Sequence, residues 1–126
     1  MRITYNNIMR KYMDGWLTNN LEQILDVCHP NIYIEECHGP AYLGTAEVEK
    51  WISAWAVKGQ VTKWEILVDW YDESENTYFY KWHFCCNYNN DLSDFQGLIL
   101  VKIEDEKIVR LEEYQTTTGH YRKYQK

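Results

Sequence analysis

Hydrophobic positions in the first third of the chain recur with helical spacing. Tyr5, Ile8, Met9, Tyr12 and Trp16 fall at i, i+3, i+4, i+7 and i+11, which places them on one helix face. Asn19-Asn20 follows and offers a cap for a shorter helix with the stripe Leu21, Ile24, Leu25 and Cys28. His29-Pro30-Asn31 should end that helix, because the residue before a proline disfavours helical backbone angles. Ile32 to Cys37 alternates as a strand does, and His38-Gly39-Pro40 reads as a loop. A third helix is expected from Thr45 as its cap, through the stripe Val48, Trp51, Ile52 and Trp55, to Lys58-Gly59.

From Val61 onward the period changes to two. Trp64, Ile66, Val68 and Trp70 are expected on one face of a strand. Tyr78, Tyr80, Trp82, Phe84, Cys86 and Tyr88 alternate through a second, Phe95 to Ile103 forms a third and Ile108 to Thr117 a fourth. Polar turns at Asp72–Asn76, Asn89–Asp91 and Glu104–Lys107 separate them. Three helices with one early strand, followed by four long antiparallel strands, predict an α+β fold. Long strands twist, and a curled antiparallel sheet packed on three helices makes a cone with an open end and a pocket. No linker or repeat interrupts this order, so residues 1–126 read as a single domain. The basic, aromatic stretch 118–126 reads as a flexible arm.

Composition narrows the class of ligand. Thirteen Lys and Arg against nineteen Asp and Glu leave a charge of −6. That argues against nucleic acid, since phosphate contacts need a basic face. No run of about 18 apolar residues exists to span a membrane. No apolar leader core follows Met1, and the four cysteines lack any C-x-x-C spacing, so a reducing cytoplasm is the expected setting. Cys28-His29 and Cys37-His38 are the only hint of zinc, but adjacent ligands are not the usual structural spacing, and no metal is expected. Cys85 and Cys86 should point to opposite faces of their strand. Six Trp, eleven Tyr and three Phe make 16% of the chain aromatic, more than a small core needs. These rings concentrate in the first and third helix stripes and on alternate strand positions. They surround the expected cone interior and the expected dimer face.

Several stretches together resemble one family. Tyr12 to Leu21 is similar to the first helix and following turn of the nuclear transport factor 2-like superfamily. Ile34-Glu35-Glu36, Gly39-Pro40 and Leu43-Gly44-Thr45-Ala46-Glu47-Val48 resemble its strand, loop and helix start. Phe95-Gln96-Gly97 with Lys107 to Leu111 resembles its closing hairpin. The likeness points to the SnoaL-like polyketide-cyclase and ketosteroid-isomerase branches and covers about residues 5 to 117. That fold hosts isomerases, cyclases, dehydratases, epoxide hydrolases and non-catalytic binders.

Three residues are candidates for chemistry. Glu36 shares a strand face with Ile32 and Ile34, and a partly desolvated carboxylate there suits a general base; the plainer reading is a solvated strand end or a pair with His38. Tyr12 lies in the first helix stripe, where a buried phenol either donates to a developing oxyanion or makes a structural hydrogen bond. The resemblance implies that these two correspond to the isomerase tyrosine and base, with Glu in place of Asp. The isomerases' second, protonated acid would fall at Ile99 or Leu98, and both are apolar. Glu113 is the substitute if Val109 and Leu111 face inward, since Glu113 and Gln115 then do so as well. The resemblance also implies an acid–base carboxylate late in the chain. The pocket wall is expected from Trp16, Ile34, Trp51, Trp55, Trp82, Phe84, Leu111 and Gln115. His83 reads as a surface or interface residue.

Two functions remain open. One is a cofactor-independent proton-transfer enzyme acting on a small apolar molecule, with Glu36 as base and Tyr12 as oxyanion donor. The other is a non-catalytic ligand-binding or protein-interaction module. In either case a homodimer through the outer sheet face is expected.

Overall fold

The computed structural model describes residues 2–125; Met1 and Lys126, the ends of the expected domain, lie outside the described residues. Helix α1 spans Arg2–Leu17, α2 Leu21–Asp26 and α3 Gly44–Lys58. The strands are β1 Cys28–Glu35, β2 Ala41–Leu43, β3 Gly59–Asp72, β4 Thr77–Tyr88, β5 Asp91–Glu104 and β6 Lys107–Gln115. The fold is α+β, with one six-stranded sheet in the order β2-β1-β6-β5-β4-β3. Among the described residues, no helix is long and apolar enough to cross a membrane.

The α1 stripe is buried as the spacing requires, with Met9, Tyr12, Met13 and Trp16 against the sheet. Asn20 caps α2, its side-chain oxygen accepting the Gln23 N–H at 3.1 Å. Gly15 is where α2 meets α1: a Cβ there would lie 2.5 Å from Ile24. Helix α3 starts differently from expectation. Gly44, with φ of 81°, turns the chain out of β2, so the helix begins one residue before Thr45. Leu43 occupies the cap position and Glu47 accepts its N–H at 2.9 Å, so Thr45 does not cap.

Two strands depart from the alternation. β1 begins at Cys28 and runs through His29-Pro30, with a register irregularity between Cys28 and Tyr33 that accommodates the proline. β3 carries bulges between Val61 and Lys63 and between Ile66 and Val68. The second bulge reverses which side chains face inward. Trp64 and Ile66 therefore pair with Phe84 and Trp82 on the core side, while Val68 and Trp70 turn outward and are 43% and 50% exposed. The expected single face of four residues is split at that point. Both tight hairpins use left-handed pairs, Asn89-Asn90 and Asp105-Glu106, as two-residue turns of this hand require.

The sheet is not wholly antiparallel. β1 pairs in parallel with β6, in the register Ile34 to Leu111 and Glu35 to Glu112. Every other strand pair is antiparallel. This parallel pairing joins the early strand to the last one, and it sets up the site.

Candidate active site

A cavity of about 330 Å³ opens between the helices and the inner face of the sheet. Its wall is aromatic on three sides: Trp16 from α1, Trp51 and Trp55 from α3, and Trp64, Trp82 and Phe84 from β3 and β4. The rings contact one another. Trp16 lies 4.8 Å from Trp51 and 6.1 Å from Trp55 by ring centroids. Trp64 meets Phe84 at 5.3 Å and Trp82 at 6.3 Å, both edge-on. Phe95 closes the set, 5.5 Å from Trp82. The exposed lining residues are His38, Tyr88, Asp91 and Ser93.

Two carboxyl groups enter this aromatic space. Glu36 follows the end of β1, in a tight loop where its N–H donates to Pro40 at 2.9 Å and Gly39 N–H donates back to its carbonyl at 3.1 Å. Tyr42 from β2 donates its hydroxyl to Glu36 Oε1 at 2.6 Å. Glu113 is on β6. With Glu35 opposite Glu112 in the parallel ladder, the next residue on each strand is Glu36 and Glu113. Their charges act on each other. Burial, and then the Glu36 charge, push the Glu113 carboxyl from 4.5 up to about 8, against a lowering hydrogen bond from the Cys37 backbone. Glu113 thus carries a proton at neutral pH while lining the cavity. Burial also pushes the Cys37 thiol to about 12, so it is a neutral part of the wall.

Among the expected residues, Glu36, Glu113, Trp16, Trp51, Trp55, Trp82 and Phe84 border this one cavity. Tyr12, Ile34, Leu111 and Gln115 do not. Tyr12 is wholly buried behind the wall, edge-on to Trp16 and to Trp64. Burial first, then the Glu113 charge, hold its phenol well above the usual range. It is within electrostatic reach of both carboxyls but does not touch the space a ligand would fill. Ile34 and Leu111 are register partners with no exposure, and form the core layer under the carboxyl pair. Gln115 pairs with Gly97, where the Trp82 ring lies over the backbone, and borders a separate surface groove with residues 116–121.

Sequence reasoning missed Tyr42, the direct partner of Glu36. Tyr42 is the cross-strand neighbour of Ile34 in a three-residue strand too short for periodicity to reveal. His38 had been a candidate partner for Glu36. It instead packs its ring edge-on against Phe95, with Cys37 Sγ 3.7 Å from its Nε2. The Cys28-His29 pair does not form a site either, since Cys28 is buried and donates to Ile24 O. Cys86 lines the cavity and Cys85 faces the other side of the sheet with His83.

Glu113 is the antiparallel partner of Ile99 on β5.

Solved structures of similar fold are numerous. A candidate isomerase from Bacillus subtilis superposes with a TM-score of 0.79 at 14% identity, covering 90% of this chain and 86% of its own. A candidate polyketide cyclase from Xanthomonas campestris gives 0.74 at 13% identity, covering 90% of both chains. A protein of ketosteroid isomerase-like fold from Catenulispora acidiphila, in complex with trimethylamine, gives 0.76 at 10% identity, covering 87% of this chain and 85% of its own. At these identities the likeness establishes a shared ketosteroid isomerase-like, or nuclear transport factor 2-like, fold. No curated protein matches the chain. The family model of the SnoaL-like domain matches residues 9–111, from the middle of α1 into β6. The chain therefore belongs to the SnoaL-like domain family.

Proposed function

We propose that this protein binds a small, largely apolar molecule in the aromatic cavity and moves a proton on it without a cofactor. The observation that carries this reading is the carboxyl pair at one wall: Glu36 and Glu113 both line the cavity, and burial, then the Glu36 charge, raises the Glu113 carboxyl to about 8. A carboxylic acid beside a second carboxyl gives the site one group that can donate a hydrogen bond and one that can accept a proton. Glu36 takes a proton from a carbon next to a carbonyl. Glu113 donates a hydrogen bond to the carbonyl oxygen as negative charge develops there, and the proton returns to the same carbon or, where a double bond is conjugated with the enolate, to the far carbon of the dienolate, giving the isomer. Tyr42 holds the Glu36 carboxylate at 2.6 Å. The charged lining residues include Glu36, Glu113 and Asp91 but no Lys or Arg, so neutral or cationic molecules are favoured over anions. A similarly folded protein in complex with trimethylamine supports a small-molecule ligand.

The test is exchange of carbon-bound hydrogen in small aryl and cyclic ketones in heavy water, followed by proton NMR. The native protein should catalyse exchange, and Glu36→Gln and Glu113→Leu should each lower it by roughly 10²-fold or more while the circular dichroism spectrum is kept. Unchanged exchange in both variants would sink the mechanism. The alternative is a binding module, favoured by the absence of Tyr12 from the cavity wall. It expects tryptophan fluorescence to respond to such ketones with no exchange at all.

We also propose that the outer sheet face pairs two copies. Val68, Lys81, Leu98 and Tyr114 form one row across four strands, and Trp70, Phe79, Leu100 and Glu112 the next. A dimer at micromolar concentration is the expected result of light scattering, and a stable monomer would count against it.

A further inference from the structure

We propose that His83, Cys85 and Asp94 form a binding site for a single borderline transition-metal ion, zinc foremost, on the side of the sheet opposite the cavity. The three ligand atoms lie within 4.8 Å of one another. The site is independent of the carboxyl pair: Cys86 lines the cavity, and its neighbour Cys85 therefore points the other way.

The β-ladder places all three residues. His83 and Cys85 are two apart on β4 and share its outer face. Asp94 on β5 is the antiparallel partner of Cys85. The mount lies on two long paired strands, near the hairpin that joins them. His83 Nε2 lies 2.6 Å from Asp94 Oδ1 and 3.6 Å from Cys85 Sγ. Zinc bonds of about 2.3 Å to sulfur and 2.0–2.1 Å to nitrogen, at a tetrahedral angle, put S and N about 3.5 Å apart. The sulfur–nitrogen edge therefore already has the required length. The nitrogen–oxygen edge must open to about 3.3 Å on the same bond lengths. The Asp94 side chain, 71% exposed, has room to make that rotation.

The donor set selects the metal class. One thiolate, one imidazole and one carboxylate suit zinc or its neighbours and not magnesium or calcium, which take oxygen alone. The nearby cation, Lys63, pairs with Glu65 at 3.4 Å. His83 and Asp94 also border a groove lined by Gln96, Thr116 and His120, which leaves space for a fourth ligand. Binding displaces the Cys85 thiol proton to solvent, so that the ion meets a thiolate, a carboxylate and an imidazole.

The experiment uses the full chain, stripped of metal, titrated with cobalt(II) and then with zinc. One cobalt per chain should bind, with a near-ultraviolet thiolate-to-cobalt band and intense visible bands of tetrahedral geometry, and zinc should displace it. Cys85→Ser should abolish the thiolate band, and His83→Ala should weaken binding at least about tenfold. Cys37→Ser and Cys86→Ser, each checked for native circular dichroism, should retain the band. Should Cys85→Ser fail to fold, alkylation of Cys85 in the native protein, located by mass spectrometry, gives the same readout. Absence of a thiolate band overturns the proposal, as does a band that survives the loss of Cys85 or disappears with Cys37.

Discussion

Glu113 should make this protein less stable as the pH rises. Its carboxyl moves from 4.5 to about 8 on folding, so between those values the folded state holds a proton that the unfolded chain has released. A group raised in this way contributes stability that is fully present below its unfolded value and is lost as the pH rises through its folded value. At 1.36 kcal/mol per pH unit, that gap has a ceiling of roughly 5 kcal/mol. Glu113 borders an open cavity that water can enter, and screening brings the expected loss to roughly 2–3 kcal/mol. Glu113→Gln keeps the shape of the protonated acid but cannot ionise. Urea unfolding of both proteins at about pH 5 and about pH 9 should therefore show the variant gaining on the native protein at high pH by that amount. Carbon-detected NMR of the Glu113 carboxyl should give a midpoint near 8. In Glu36→Gln the midpoint should fall only part of the way, because burial is the larger cause and the Glu36 charge the second. A stability gap that is constant across the range, or an ordinary midpoint, would refute the acid assignment.

Two further perturbations test the packing that shapes the cavity. Gly97→Ala would place a Cβ 2.1 Å from the Tyr114 carbonyl oxygen and 2.5 Å from the Trp82 ring, and a backbone atom cannot swing aside. The expected result is a loss of roughly 3 kcal/mol or more in urea unfolding, and an unchanged midpoint would contradict the close approach. Asn20→Ala removes the side-chain acceptor for the Gln23 N–H and should cost about 1 kcal/mol in thermal unfolding, with the cavity unaffected.

Helix identity was legible in the chain because burial on α1 and α3 depends mainly on local spacing. Tyr12, Trp16, Val48 and Ile52 meet the core at the positions the stripes require. The long strands were legible for the same reason, up to the point where a bulge intervened. Val68 and Trp70 continue the alternation in sequence, yet one extra residue at the Ile66/Val68 irregularity turns them to the outer face. A period-two pattern contains no record of such an insertion. The Leu43 cap of α3 escaped for a related reason. The left-handed φ of 81° at Gly44, not the chemistry of Thr45, decides where the helix starts.

The candidate site divides along the same line. The sequence alone singled out Glu36, Glu113 and most of the tryptophans, because their types and faces are properties of individual strands and helices. It placed Tyr12 with Glu36 as the acting pair, since both lie early in the chain and match the isomerase pattern. In the tertiary structure both carboxyls line the cavity and Tyr12 does not. Parallel pairing of β1 with β6 aligns Glu35 with Glu112 and so brings Glu36 beside Glu113, two residues 77 positions apart. The carboxyl raised to about 8 is consequently the late one. Tyr12 remains behind the wall of rings. Strand pairing is a long-range choice made by the whole core, and it moves a residue across the molecule without changing its local pattern. Residue type and face could be read from the chain, whereas which carboxyl meets which, and in how dry a space, was settled only when the last strand docked against the first.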